Sequence, residues 1–126
     1  MKGEIRSFED LEVYRRLCEL HLEINELSLK FPKFELFELG SQIRRSSNSI
    51  AANIAEGWNN KHINIYLESI NRAQGELQET RHHLYIAYRK EYLSEEIYPY
   101  GCIRIGSILK NATNVGECYE VWNNHC

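Results

Sequence analysis

The sequence is poor in the residues that interrupt secondary structure. Its 126 residues include only two prolines and seven glycines. Long uninterrupted elements in a chain of this size are helices, because strands are usually short. No segment shows the sustained alternation of apolar and polar residues that marks a half-buried strand. The scarcity of breakers therefore favours an all-α fold.

The sequence also lacks an excess of positive charge. Lys and Arg total 15 against 18 for Asp and Glu, which gives a formal net charge of -3 at pH 7. A dedicated nucleic-acid-binding protein usually carries a clear basic excess, since phosphate neutralisation supplies most of the affinity. The composition excludes a protein whose overall positive charge attracts nucleic acid, and it leaves open a local basic patch.

Long apolar runs and paired cysteines are absent as well. No stretch approaches the roughly 18 apolar residues of a membrane span, and the first residues do not resemble a signal peptide. The four cysteines, Cys18, Cys102, Cys118 and Cys126, lie far apart and form no C-x-x-C pair. We therefore expect reduced thiols, a cytoplasmic location and no membrane partner.

Hydrophobic periodicity predicts four helices in one domain spanning residues 1–126. Apolar residues recur at spacings of three and four over residues 8–30, 36–58, 61–92 and 95–122. The connections between these segments are only a few residues long. Short connections make consecutive helices antiparallel, so the predicted architecture is an antiparallel up-down-up-down four-helix bundle.

Local signals refine these boundaries and faces. Ser7 with Asp10 resembles a capping box at the start of the first helix, and Ser94 is the predicted N-cap of the fourth. Gly75 lies inside the third helix, where we expect close contact with the small residues of the second helix to compensate for its low helix propensity. The predicted inward positions of the second helix are Phe37, Ile43, Ser47, Ile50 and Ile54.

The first helix carries two adjoining apolar stripes. One stripe contains Leu11, Tyr14, Cys18 and His21, and the other contains Val13, Leu17, Leu20, Ile24 and Leu27. Together they make an apolar surface wider than one seam inside a bundle needs. One stripe can face the core and the other a neighbouring subunit, so the sequence predicts a homo-oligomer. The candidate interface residues are Leu17, Leu20, Ile24 and Leu27.

No catalytic, metal-binding or cofactor-binding constellation stands out. Glu79-x-x-His82 resembles half of a helical di-iron site, but the second copy that such a site requires is missing. Cys18 and His21 are one helical turn apart, a spacing that also suits a buried thiol beside a hydrogen-bonded histidine. We therefore expect no catalytic residues, no metal and no cofactor, and we keep a helical-bundle metalloprotein as the least favoured alternative.

Basic residues supply the remaining candidates. The Arg44–Arg45 pair lies in a segment, Ser41 to Ala55, that contains no acidic residue. The pair is able to form intersubunit ion pairs, with Glu56 or a glutamate of the third helix, or to bind phosphate in a groove. The full set of nucleic-acid or intersubunit candidates is Arg44, Arg45, Arg81, Arg89 and Lys90.

The segment from Leu39 to Gly57, LGSQIRRSSNSIAANIAEG, resembles the signature of the four-helix-bundle proteins encoded in intervening sequences of bacterial 23S rRNA genes. Four further segments are also similar to that family: SFEDLEVY at Ser7, KFPK at Lys30, RAQGELQE at Arg72 and YLSEE at Tyr92. The resemblance extends to about residue 120. It implies a homopentameric ring and kinship with the accessory variability determinant of diversity-generating retroelements, which binds nucleic acid and a reverse transcriptase. Members of the family have also been labelled ribosomal proteins.

These observations predict a non-catalytic homo-oligomer, expected to be a pentamer, that acts as an accessory protein. Its expected partners are further copies of itself and either structured RNA or DNA, or a protein. The alternative function is a protein-binding scaffold without affinity for nucleic acid, which the acidic composition favours.

Overall fold

The computed structural model describes residues 5–59 and 61–98. These residues contain helices and turns and no β-strand, as the sequence predicts. Three α-helices span Glu12–Leu29 (α1), Leu39–Gly57 (α2) and Ile63–Arg89 (α3). Within the described residues, no helix combines the length and the apolar character that crossing a membrane requires.

Contacts between side chains show that α2 lies between α1 and α3 and runs antiparallel to both. His21 meets Ser47 while the later Ser28 meets the earlier Arg44, so α1 and α2 run in opposite directions. Along α3, Ser69 lies against Gly57 at the end of α2, whereas Thr80 bonds Ser46 near its middle. The short connections at 30–38 and 58–62 give this arrangement, as expected from the sequence.

The core lies between the helices and follows the predicted periodicity. In α2, Ile43, Ser47, Ile50 and Ile54 are at most 2% exposed, which confirms their inward positions. Phe37, however, is 86% exposed and lies before the start of α2. Its predicted inward position is wrong because the helix begins three residues later than the pattern suggested. The largest fully buried side chains of α3 are Tyr66, Ile70 and Leu77.

The N-terminal capping box forms, but it caps a short turn rather than α1. Backbone N–H groups of Arg6 and Ser7 donate to the Asp10 carboxylate at 2.8 and 3.1 Å, and these bonds lower the pKa of Asp10. The turn is a single 3-10 helix over Phe8–Asp10. Extended backbone at Leu11 separates it from α1. The predicted helix 8–30 is therefore two helices.

Close packing requires glycine at the end of α2. A Cβ added at Gly57 would lie 1.8 Å from Ser69 Oγ. The φ of Gly57 is not positive, so the need for glycine comes from this close contact and not from the backbone conformation. The left-handed residue that ends α2 is Asn59, at φ 58. Gly75 is different, because a Cβ there would meet no atom of the described residues within 4 Å. The predicted contact between Gly75 and α2 is therefore wrong.

The end of α3 has a hydrogen-bond pattern that satisfies its last carbonyls. Tyr92 N–H donates to Ala87 O and Glu91 N–H to Tyr88 O, both at 2.9 Å, with Glu91 at φ 65. This is a Schellman motif, and it ends α3 at Arg89 rather than at the predicted Tyr92.

Ser94 begins the next helical turn. Its hydroxyl accepts from Ile97 N–H at 3.2 Å and its carbonyl from Tyr98 N–H at 3.0 Å, so Ser94 occupies the predicted capping position. The rest of the predicted fourth helix, 99–122, lies outside the described residues.

Candidate interaction surfaces

Arg44 joins the end of α1 to the loop between α1 and α2. Its guanidinium donates to Ser28 Oγ at 2.9 Å and to the carbonyl of Leu36 at 2.5 Å. Gly40 makes room for it, since a Cβ there would lie 2.9 Å from Arg44 Nη1. Arg44 therefore fixes the loop within the chain, a contact between elements that the sequence does not reveal.

Arg45 bonds carboxylates of α3. Its guanidinium lies 2.5 Å from Glu79 Oε2 and 3.8 Å from Glu76 Oε2. The partner is a helix-three glutamate, as suggested from the sequence, but it belongs to the same chain. His83 Nε2 lies 3.8 Å from the same Glu79 oxygen. Burial lowers the pKa of His83, and the Glu79 carboxylate opposes this shift.

Lys90 also has a partner inside the chain. Lys90 Nζ and Tyr92 Oη donate to Glu35 Oε2 at 2.9 and 2.8 Å. Glu35 is only 4% exposed, and the bond from Lys90 holds its pKa below the ordinary value. The cluster ties the α1–α2 loop to the segment after α3. Sequence reasoning missed Glu35, because its partners lie more than fifty residues away.

Arg81 and Arg89 lie on the outer side of α3 with Tyr85 between them, and we call these three residues the basic stripe. Arg89 Nη1 donates to Tyr85 Oη at 2.8 Å, and its guanidinium lies 5.7 Å from that ring. Arg81 Nη1 donates to the amide oxygen of Gln78 at 3.5 Å. Neither arginine forms an ion pair with a carboxylate of the described residues. Their charge is therefore available to a phosphate.

The two pairs considered as metal ligands have other contacts. His21 Nδ1 lies 2.8 Å from Ser47 Oγ, and burial lowers the pKa of His21. Cys18 is a free, half-buried thiol whose hydrogen bond raises the pKa of Tyr14. His83, and not the His82 of the Glu79-x-x-His82 pair, approaches Glu79. No group of three or more potential metal ligands occurs in residues 5–59 and 61–98.

The predicted interface stripe of α1 packs inside the chain. Leu17, Leu20 and Ile24 are 1–3% exposed and belong to the core, while Leu27 is half-buried against it. These side chains fill space between the helices of one chain, so they contribute little to its outer surface.

The exposed apolar side chains concentrate instead around the α1–α2 loop. Leu29, Phe34 and Phe37 are 59%, 72% and 86% exposed. Lys30 and Lys33 are exposed beside them and form no ion pair with the described residues. We call these five residues the loop patch. The available sequence signal was two phenylalanines that follow two lysines in a short loop.

Comparison with known proteins agrees with this helical architecture. The chain is similar to the crystal structure of a protein of unknown function from the S23 ribosomal protein family of Bacteroides thetaiotaomicron. The two are 28% identical, with a TM-score of 0.71 over 82% of this chain and 96% of that one. No curated protein matches the chain. The model of the 23S rRNA-intervening sequence protein family matches residues 9–111, and the chain therefore belongs to that family.

Proposed function

We propose that the protein is a non-catalytic accessory protein that works as a homo-oligomer, with five copies in a ring. The observation that carries this proposal is the exposure of Phe34 and Phe37, at 72% and 86%. Exposed aromatic side chains that lie together are typical of protein interfaces, where aromatic residues are enriched.

Rigidity of the loop strengthens the argument. Arg44 binds the loop carbonyl of Leu36, and the buried Glu35 holds the loop to Lys90 and Tyr92. A loop fixed in this way loses little conformational entropy when a partner binds it. The two phenylalanines are therefore preorganised for contact.

Within the proposal, each copy is an up-down-up-down four-helix bundle. Support for the fourth helix comes from Ser94, whose side chain and carbonyl begin a helical turn at the end of the described residues. The apolar positions at Ile105, Ile108, Leu109 and Ala112 follow the same helical spacing in the sequence.

Light scattering over a concentration series tests the oligomer. We expect wild-type protein to be multimeric at micromolar concentration and the Phe37→Ser variant to dissociate at higher concentration than wild type. Ile65→Ser is the matched control, because Ile65 is also exposed, at 41%, but lies on α3 away from the loop patch. Monomeric wild-type protein at micromolar concentration would contradict the proposal.

The basic stripe favours nucleic-acid association as a second function. Arg81 and Arg89 are exposed, have no carboxylate one turn away on α3, and flank a tyrosine that is 41% exposed. Arginines bind phosphate, and an aromatic ring offers a surface on which a base stacks. Arg44, Arg45 and Lys90 are less suited to this task, because each already has a partner within the chain.

Binding to structured RNA and to duplex DNA, measured over a salt series, tests this second function. We expect the Arg81→Ala and Arg89→Ala variants each to lower the salt slope by about one unit, since each loses one phosphate contact. Arg45→Ala is the control and should leave the slope unchanged. Wild-type protein that fails to bind at about 50 mM salt would leave a scaffold without nucleic-acid affinity.

A further inference from the structure

A second exposed surface on the same chain complements the loop patch. Glu19, Leu22 and Glu26 lie at successive turns of the outer side of α1, and we call them the acidic stripe. Leu22 is 62% exposed, although it is a large apolar side chain in the middle of a helix. Glu19 and Glu26 are exposed and form no ion pair with the residues that the structure describes. The stripe is therefore an apolar contact point with a negative charge on either side.

The loop patch has the opposite charge and the same apolar character. Lys30 and Lys33 precede the exposed Phe34 and Phe37 in the loop, and Glu35, the buried carboxylate of this loop, is already paired with Lys90. Glu38 follows Phe37 directly and is exposed, so the exposed charges of the loop are two positive and one negative. Opposite charges around matching apolar residues align two surfaces and suppress wrong partners.

We infer that the loop patch of one copy docks on the acidic stripe of the next copy. The inference rests on the proposed homo-oligomer and identifies its two contact surfaces. Phe34 and Phe37 pack around Leu22, while Lys30 and Lys33 pair with Glu19 and Glu26. Contacts between two different surfaces are heterologous, and such contacts generate a closed ring when the rotation between neighbours closes. Repeated in the same sense from each copy to the next, this contact builds the ring of the proposed function, whereas a reciprocal contact between two copies would close as a dimer.

The acidic stripe lies on an ordered part of the molecule. It belongs to the middle of α1, whose opposite side is fixed by the buried Leu17, Leu20 and Ile24. Glu19 and Glu26 are seven residues apart, about 10 Å along the helix axis. Two lysines of one short loop are able to bridge that distance with their flexible side chains.

Reversing the charges on one surface and then on both tests the docking. One double variant reverses the loop patch, with Lys30→Glu and Lys33→Glu. The other reverses the acidic stripe, with Glu19→Lys and Glu26→Lys. Each should weaken association about ten-fold or more. A chain that carries all four changes has complementary surfaces again, and we expect its association to recover. Sedimentation velocity at about 50 mM salt measures the association of wild type, both double variants and the variant with all four changes, since low salt preserves surface ion pairs. Lys61→Glu, at the opposite end of the helices, is the control and should associate like wild type.

The outcomes separate this inference from the proposed function. If the variant with all four changes does not recover association while wild-type protein is multimeric, the docking is wrong and the proposed homo-oligomer is unaffected. A monomeric wild type overturns both. Because the substituted residues are exposed, circular dichroism should show unchanged helix content in every variant. If the Lys30→Glu and Lys33→Glu changes lower RNA affinity and leave the mass unchanged, the loop patch binds nucleic acid and the inference is wrong.

Discussion

The same substitution, glycine to alanine, should have opposite effects on stability at two positions. At Gly57 a new Cβ would lie 1.8 Å from Ser69 Oγ and 2.3 Å from Ser69 Cβ. Ser69 is fully buried, and its hydroxyl already donates to the carbonyl of Tyr66. Because Ser69 Cβ is held by its backbone, no rotation of the Ser69 side chain relieves the contact, and α2 and α3 must move apart. Gly57→Ala should therefore lower the free energy of unfolding by about 1–3 kcal/mol, the usual cost of overpacking.

At Gly75 the added methyl group meets nothing within 4 Å in residues 5–59 and 61–98. The position lies inside α3, where alanine is favoured over glycine by about 1 kcal/mol through backbone entropy. Gly75→Ala should therefore raise the free energy of unfolding by about that amount. It is also the control for Gly57→Ala, because the chemical change is identical and only the surroundings differ.

Urea denaturation at one fixed protein concentration measures both effects. The fixed concentration matters because self-association shifts apparent stability. Far-UV circular dichroism reports helix content. Tryptophan fluorescence, recorded with Trp122→Phe in every variant so that Trp58 alone emits, reports the α2–α3 contact, where Trp58 packs edge-on against Tyr66 at 5.8 Å. A Gly57→Ala variant as stable as wild type would refute the packing described between the two helices. A destabilised Gly75→Ala variant would show that a neighbouring group covers this side of α3.

Two further predictions concern the loop between α1 and α2. Glu35→Gln should remove a pH-dependent part of the free energy of unfolding. Folding lowers the pKa of Glu35 below 4.5. The stabilisation by the Glu35 carboxylate is therefore present above pH 4.5 and is lost as the pH falls through the lower pKa of the folded state. Thermal denaturation should show a higher Tm for wild type than for the variant, and this difference in Tm should narrow below about pH 5. A difference in Tm that does not depend on pH would count against the Glu35–Lys90 contact. Arg44→Lys should lower the free energy of unfolding by about 1–3 kcal/mol, because a lysine cannot reach Ser28 and the Leu36 carbonyl with a planar fork. Urea denaturation measures this loss, and no loss would show that the loop does not depend on Arg44.

Helical periodicity predicted the buried faces because it depends on spacing along one helix. Ile50 and Leu77 are buried as expected, since every third or fourth residue faces the same direction. The same reasoning failed at Phe37, where the chain is not helical and spacing has no meaning. The expectation at Gly75 rested on the low helix propensity of glycine and not on spacing, and Gly75 lies off the buried stripe of α3 that contains Ala73 and Leu77.

Partners of charged residues were harder to predict than buried faces. Arg45 and Glu79 lie 34 residues apart, so their contact depends on how α2 and α3 are aligned. A shift of one turn between the helices would have given Arg45 a different neighbour. The sequence indicated a helix-three glutamate but gave no means of deciding between the same chain and another copy. The loop patch was missed for a related reason, since a pattern of residues does not report exposure in a loop.

Native mass spectrometry of the wild-type protein counts the copies in the proposed ring. We expect a dominant species of five copies of the 14.9 kDa chain. The Phe37→Ser variant should shift that species toward smaller assemblies. A wild-type spectrum containing only the single chain at micromolar concentration would show that the chain does not assemble into a ring.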